Sequence, residues 1–177
     1  EMTSSLVGSE MCIRDRTEGA ACTVLHAHKL IDNNTPLLIA NSDQIVDMNI
    51  AEFINDSENR NLDGSVLCFK DHDTKWSYAK IDGEGLITEI REKVVISEFA
   101  TVGIYYFAKG GFFVKNAIDM IIRNERVKNE FYVAPVYNFG IQEGLKFGIF
   151  NININQMHGI GTPTDLNVYI DLVQRNK

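Results

Sequence analysis

The stretch Pro36-Leu-Leu-Ile-Ala-Asn-Ser-Asp-Gln44 constrains this chain more than any other. Leu37 to Ala40 is a short continuous apolar run, bounded by Pro36 and by polar Asn41-Ser42. Such a run reads as a strand buried on both faces, as in a parallel sheet with helices on either side. It stops abruptly at Asn41-Ser42-Asp43, which puts a carboxylate just past the carboxyl end of a core strand. In open α/β sheets that edge is where ligands bind. On pattern alone, Asp43 serves equally well as the cap of the next turn or helix.

A chain of 177 residues is long enough for one domain with a sizeable core. Its formal net charge of −7 argues against a broad nucleic-acid surface, which would be basic. It does not argue against a nucleotide, whose phosphates are handled locally by a lysine, backbone N–H groups or a metal. No apolar run approaches the 18 residues of a membrane helix. Cys12, Cys22 and Cys68 are odd in number and lack metal-ligand spacing, as expected of reduced thiols in a cytoplasmic protein.

Residues 1–16 do not belong with the rest. Ser5 to Arg16 resembles translated sequencing-adaptor read-through, so 1–16 is expected to be a non-native or disordered leader and 17–177 a single domain. From Thr17 the spacing of Ala21, Val24, Leu25, His28 and Ile31 predicts one helix, with Gly19-Ala-Ala at its start leaving room for a ligand to approach the backbone. Asn49 is placed to cap a short helix, and Ser65–Phe69 reads as a second buried strand. Trp76–Ile81, Asp82-Gly-Glu-Gly85 and Leu86–Glu92 read as strand, turn and strand, leaving Glu92-Lys93 at a strand end. Gly103 inside the strand Ala100–Phe107 marks a place where a ligand or another backbone comes close. Helices are expected after Gly110-Gly111, with Phe113, Ala117, Met120 and Ile121 as a core stripe, and from Pro135 to about Glu143. Thr162, Pro163 and Asp165 form the start signal of a last helix.

Ala-Asn-Ser-Asp-Gln44 resembles the strand-end motif of the sugar-phosphate nucleotidylyltransferases, and later stretches match the same family in order. The resemblance implies an α/β fold of the GT-A-like nucleotide-diphospho-sugar transferase type, a mostly parallel central sheet flanked by helices. It further implies Asp43 as the ligand of a catalytic Mg²⁺, with Gly19, Asn41 and Ser42 at the nucleotide. Tyr78-Ala79 is similar to the family's Tyr-Gly pair, and Glu92-Lys93 to its Glu-Lys, where the Glu binds sugar hydroxyls and the catalytic Lys the sugar phosphate. Gly103 and Tyr105 match the strand that floors the sugar pocket. Lys128 and Glu130 match a basic residue and a Glu at that phosphate. The implied reaction transfers a nucleotidyl group from an NTP to a sugar 1-phosphate or similar small molecule, for nucleotide-sugar and surface (capsular) polysaccharide synthesis. Neither nucleic acid nor membrane is an expected partner. A GT-A-type glycosyltransferase using a nucleotide sugar, or an inactive binding fragment, stands as the alternative.

The family pattern breaks at two places. Its opening strand and glycine-rich NTP-phosphate loop have no counterpart here, so the first β-α unit is expected to be missing and the chain inactive alone. Its second metal ligand, an Asp two residues before the Gly-Thr-Pro turn, falls on Gly159, with His158 adjacent.

Overall fold

The computed structural model describes residues 17–175, so the reading of 1–16 as a leader lies outside it. Helices α1 (Ala20–Leu25) and α2 (His28–Ile31) precede strands β1 (Leu37–Ala40) and β2 (Gln44–Val46). Helix α3 (Ile50–Asn59) leads into β3 (Gly64–Lys70), β4 (Tyr78–Ile81), β5 (Ile87–Arg91) and β6 (Phe99–Phe107). Helices α4 (Gly110–Ile122) and α5 (Val136–Gln142) follow, then β7 (Phe147–Ile152), a 3₁₀ turn, β8 (Met157–Gly159) and α6 (Pro163–Arg175). No described helix is long and apolar enough to cross a membrane.

The main sheet runs β5-β4-β6-β3-β7, with β1 also paired to β6, and β2 pairs β8 in a separate ribbon. Period-two alternation along β3 builds both halves of the core. Val66 and Cys68 face α4 and α5, packing with Phe113, Met120 and Tyr137. Leu67 and Phe69 face the other side, with Phe53 of α3. The Tyr137 hydroxyl donates to the carbonyls of Ser65 (3.1 Å) and Tyr106 (3.0 Å), so α5 is tied to the two central strands. Helices therefore cover both faces, as an α/β architecture requires.

Several local expectations hold. Asn49 accepts from Ala51 N–H (3.1 Å), and Thr162 Oγ1 accepts from Asp165 N–H (3.2 Å) while donating to the Asp165 carboxylate (2.7 Å). The hairpin closes on Asp82 Oδ1, which accepts from Glu84 and Leu86 N–H.

Pairing direction differs from expectation. Among the described strands, β3 and β7 pair in parallel and the other pairings are antiparallel, so the sheet is mixed rather than mostly parallel. Among the described residues strand β1 pairs with β6, antiparallel, and no second strand lies beside it; Ile39 is buried while Leu38 is 40% exposed. A four-residue apolar run carries no record of its partner's direction, and that is why its reading as a parallel core strand failed. The single helix expected from Thr17 is two, broken at His26-Ala27, with Ala21 its one buried residue.

Candidate active site

Where β1 ends, the Asn41 N–H donates to the Gly103 carbonyl at 2.9 Å, stitching the Asp43 loop to β6. Gly103 has φ +90°, a left-handed conformation that favours glycine. The β3–β6 register shifts between the pairs Val66–Tyr105 and Cys68–Thr101, a span that contains Gly103. Such irregularities re-aim side chains beside sites. A Cβ on Gly103 would lie 2.5 Å from Asn41 Nδ2 and 2.9 Å from Gln44 Oε1. The glycine thus makes room for the two side chains that flank Asp43.

A cleft of about 300 Å³ opens there. It is lined by Asn41, Asp43 and Gln44, by Ser77, Thr101, Gly103 and Tyr105, and by Glu92, Lys93 and Tyr132. Six of the sequence-predicted residues therefore meet in one cleft: Asn41, Asp43, Glu92, Lys93, Gly103 and Tyr105.

Glu92 is only 8% exposed, and Ser77 Oγ donates to its carboxylate. Burial pushes its carboxyl above the ordinary range; the Ser77 hydroxyl and the Lys93 and Lys128 charges pull the other way, and Glu130 adds to the rise. A carboxyl raised in the folded state favours folding most below its unfolded pKa and loses that contribution as pH rises through the folded value. Glu92→Gln is therefore expected to raise Tm at pH 8, with the gain vanishing near pH 4, where both proteins carry a neutral side chain. Scanning calorimetry across that range checks it; a Tm lowered at pH 8 contradicts it.

Lys93 has φ +56°, a conformation that costs a non-glycine residue about 1–3 kcal/mol and clusters at functional sites. The turn delivers Nζ to Tyr132 Oη, to which it donates at 3.1 Å, with Nζ 4.9 Å from the ring centre. The Tyr132 hydroxyl is the first cause holding the Lys93 ammonium above its ordinary pKa, with Glu92 and Glu130 adding to it. Tyr105 is buried, its hydroxyl 3.4 Å from Thr101 Oγ1, and burial pushes it far up.

The remaining predicted residues lie elsewhere. Tyr78 and Ala79 are wholly buried in the core; Trp76-Ser77, two residues earlier, reaches the cleft instead. The space at Gly19 is occupied by the protein itself: a Cβ added there would collide with the Phe131 carbonyl oxygen, and the neighbouring Ala20 lines the cleft. Ser42 is exposed and outside the lining. Lys128 and Glu130 sit close enough for their charges to act on Glu92 without lining the cleft, and Lys128 and Asn129 are successive left-handed residues. Sequence reading missed Gln44, whose Oε1 is buried without a hydrogen-bond partner, and Ser77, Thr101 and Tyr132. The one available signal was for Ser77, since alternation puts it in phase with Ala79.

A metal ion has a small but adequate donor set. Asp43 holds its loop through its carbonyl, which accepts from Ile160 N–H (2.8 Å), and its exposed carboxylate lies beside Gly161. Gly159 pairs with Gln44 across the β2–β8 ribbon and offers no side chain. His158 is turned to Asp47 (2.8 Å), and the Asp165 carboxylate accepts from the Thr162 hydroxyl at the start of α6. Among the described residues no three His, Cys, Asp or Glu side chains gather as a metal cage. One exposed carboxylate suits Mg²⁺, which keeps several waters and takes its other ligands from phosphates.

Residues 3–131 match the family model described as nucleotidyl transferase. Among solved structures, the chain is similar to a nucleoside-diphosphate-sugar pyrophosphorylase from Vibrio cholerae RC9. That match has a TM-score of 0.73 and 24% identity, over 88% of this chain and 66% of that one. It is also similar to a protein from Bacillus anthracis, named as a glucose-1-phosphate thymidylyltransferase and solved in complex with a sucrose. Here the TM-score is 0.70 and the identity 19%, over 89% of this chain and 61% of that one. The chain thus spans just under two thirds of the solved chains it matches, and these likenesses bear on the fold. Among curated proteins no match is found. With 129 consecutive residues under the family model and the strand-end acid, Glu-Lys pair and strand glycine meeting in one cleft, the chain belongs to the nucleotidyl transferase family.

Proposed function

We propose that this fold transfers a nucleotidyl group from an NTP to a sugar 1-phosphate or a similar phosphorylated small molecule, releasing pyrophosphate. The observation that carries the reading is the convergence of Asp43, Glu92 and Lys93 around Gly103 in a cleft small enough for a phosphorylated sugar. An oxygen of the acceptor phosphate attacks the α-phosphorus, and the bond from that phosphorus to the pyrophosphate oxygen breaks. The nucleophile is already an anion, so no general base is required. Lys93, held by Tyr132, binds and orients the acceptor phosphate, with Lys128 adding charge from behind. Glu92 accepts from the acceptor's hydroxyls. Asn41 and Ala20 lie on the nucleotide side of the cleft, next to Gly19 and Ser42. Asp43 would hold Mg²⁺, which when bound neutralises phosphate charge. Positioning and charge neutralisation are the main contributions a protein makes to such a transfer.

Gly103 is the one glycine among the described residues that lines the cleft, so a glycine-rich cradle for the NTP phosphates is not found there. NTPs and sugar phosphates place the reaction in the cytoplasm, and its product suits surface-polysaccharide assembly.

The test is pyrophosphate release from the full-length protein with a panel of NTPs and sugar 1-phosphates. No release with any pair overturns the reading. Lys93→Met keeps the apolar stem and removes the charge. It is expected to raise KM for the phosphorylated acceptor roughly tenfold or more, the scale of one lost hydrogen bond to a charged group, and to leave KM for the NTP unchanged. If NTP binding alone weakens, the two substrate subsites are reversed.

A further inference from the structure

Two buried side chains, one just before β4 and one just after β5, meet under the acceptor side of the cleft. Ser77 is 7% exposed and Glu92 8% exposed. The Ser77 backbone is fixed independently of its side chain, because its carbonyl accepts from Thr101 N–H of β6 at 2.8 Å. Its hydroxyl is therefore delivered to the Glu92 carboxylate by the sheet itself, and donates to it. A buried carboxylate facing a ligand has two ways to fail as a hydrogen-bond acceptor. It can take up a proton, or it can rotate away. One anchored hydroxyl donor opposes both, since it favours the ionised form and fixes one carboxylate oxygen.

We propose that Ser77 is a positioning residue that holds Glu92 ionised and aimed into the cleft, and so sets the lower pH limit for binding the phosphorylated acceptor. This rests on the reading of Glu92 as the acceptor's hydroxyl ligand. The other groups facing Glu92 are Lys93 on its own segment, Lys128 and Glu130 on the loop after α4, and Tyr105 of β6, itself beside Thr101. The two lysines favour the charged carboxylate and Glu130 disfavours it. Neither lysine can fix the rotamer of Glu92, because no hydrogen bond joins them to it among the described residues, whereas Ser77 is bonded to it.

The test compares wild type with Ser77→Ala and Ser77→Gly, two truncations that leave the backbone bond to Thr101 in place. The first readout is the Glu92 side-chain carboxyl, titrated by ¹³C NMR in glutamate-labelled protein, with Glu92→Gln identifying its resonance. The second is the affinity for glucose 1-phosphate and glucosamine 1-phosphate from pH 5 to pH 8.5. Both truncations are expected to move the Glu92 midpoint up by roughly one pH unit, the scale of a hydrogen bond to a charged group. Affinity should fall several-fold near pH 6 and approach the wild-type value at pH 8.5. A Glu92 midpoint that stays or moves down overturns the proposal, whatever the transfer assay shows. So does an affinity loss that is equal at every pH, which is the mark of a merely structural role. A midpoint that moves in a protein binding no sugar phosphate leaves the Ser77–Glu92 coupling standing and overturns the transferase reading instead.

Discussion

Asp43→Asn is expected to lower Mg²⁺-dependent pyrophosphate release by about 10²–10³, the usual loss when one electrostatic stabiliser of a transition state is removed. The substitution keeps the side chain's shape and removes its charge. Among the described residues no hydrogen bond or ion pair uses that charge. The carboxylate is exposed, and the loop is held by backbone bonds, Asn41 N–H to Gly103 and Ile160 N–H to Asp43. Stability should therefore stay within the small range of an ordinary surface change, about ±0.5 kcal/mol. The assay is turnover of the full-length protein at saturating substrates across a Mg²⁺ series, with a thermal melt alongside. Unchanged turnover removes Asp43 from the mechanism. A large fall in Tm would instead show that its charge serves the fold.

Gly103→Ala is expected to cost both stability and acceptor binding. At φ +90° any side chain is strained, and a Cβ 2.5 Å from Asn41 Nδ2 forces that side chain and Gln44 out of place. Strain of this kind costs about 1–3 kcal/mol, and crowding in a packed interior a similar amount. For a chain of this size each kcal/mol lowers Tm by roughly 2–4 °C. Gly83→Ala is the matched control, because a Cβ added there would meet nothing within 4 Å and its φ lies outside the left-handed region. Chemical denaturation of both variants separates the site from a general effect of adding a methyl group. Equal stabilities would show that Asn41 and Gln44 relax freely, and that Gly103 is not needed where it stands.

Much of this molecule is written locally in its sequence. The Thr162–Asp165 cap, the Asp82 turn and the stripe of Phe113, Ala117 and Met120 depend on residues a few positions apart, and all appear where their spacing puts them. The acids and the lysine of the site were legible for a related reason. Glu92-Lys93 follow directly on β5 and Asp43 comes three residues after the end of β1, and strand ends are where an α/β sheet presents its chemistry.

What lay beyond the sequence is what depends on partners far along the chain. The run Leu37–Ala40 is the same whether its neighbour is parallel or antiparallel, and only the return of β6 along it decides. Gly19 was read as clearance for a ligand, but clearance does not name its occupant, and Phe131 takes it. Tyr78-Ala79 and Trp76-Ser77 differ by two residues, a choice between core and cleft that is set by where β4 begins beside β6. The contacts of Ser77 with Glu92 and of Lys93 with Tyr132 span 15 and 39 residues. Composition, propensity and capping act over a turn or two of chain, so the sequence alone determined the elements and the residue types at their ends. The closure of the sheet decided which of those ends share a cleft.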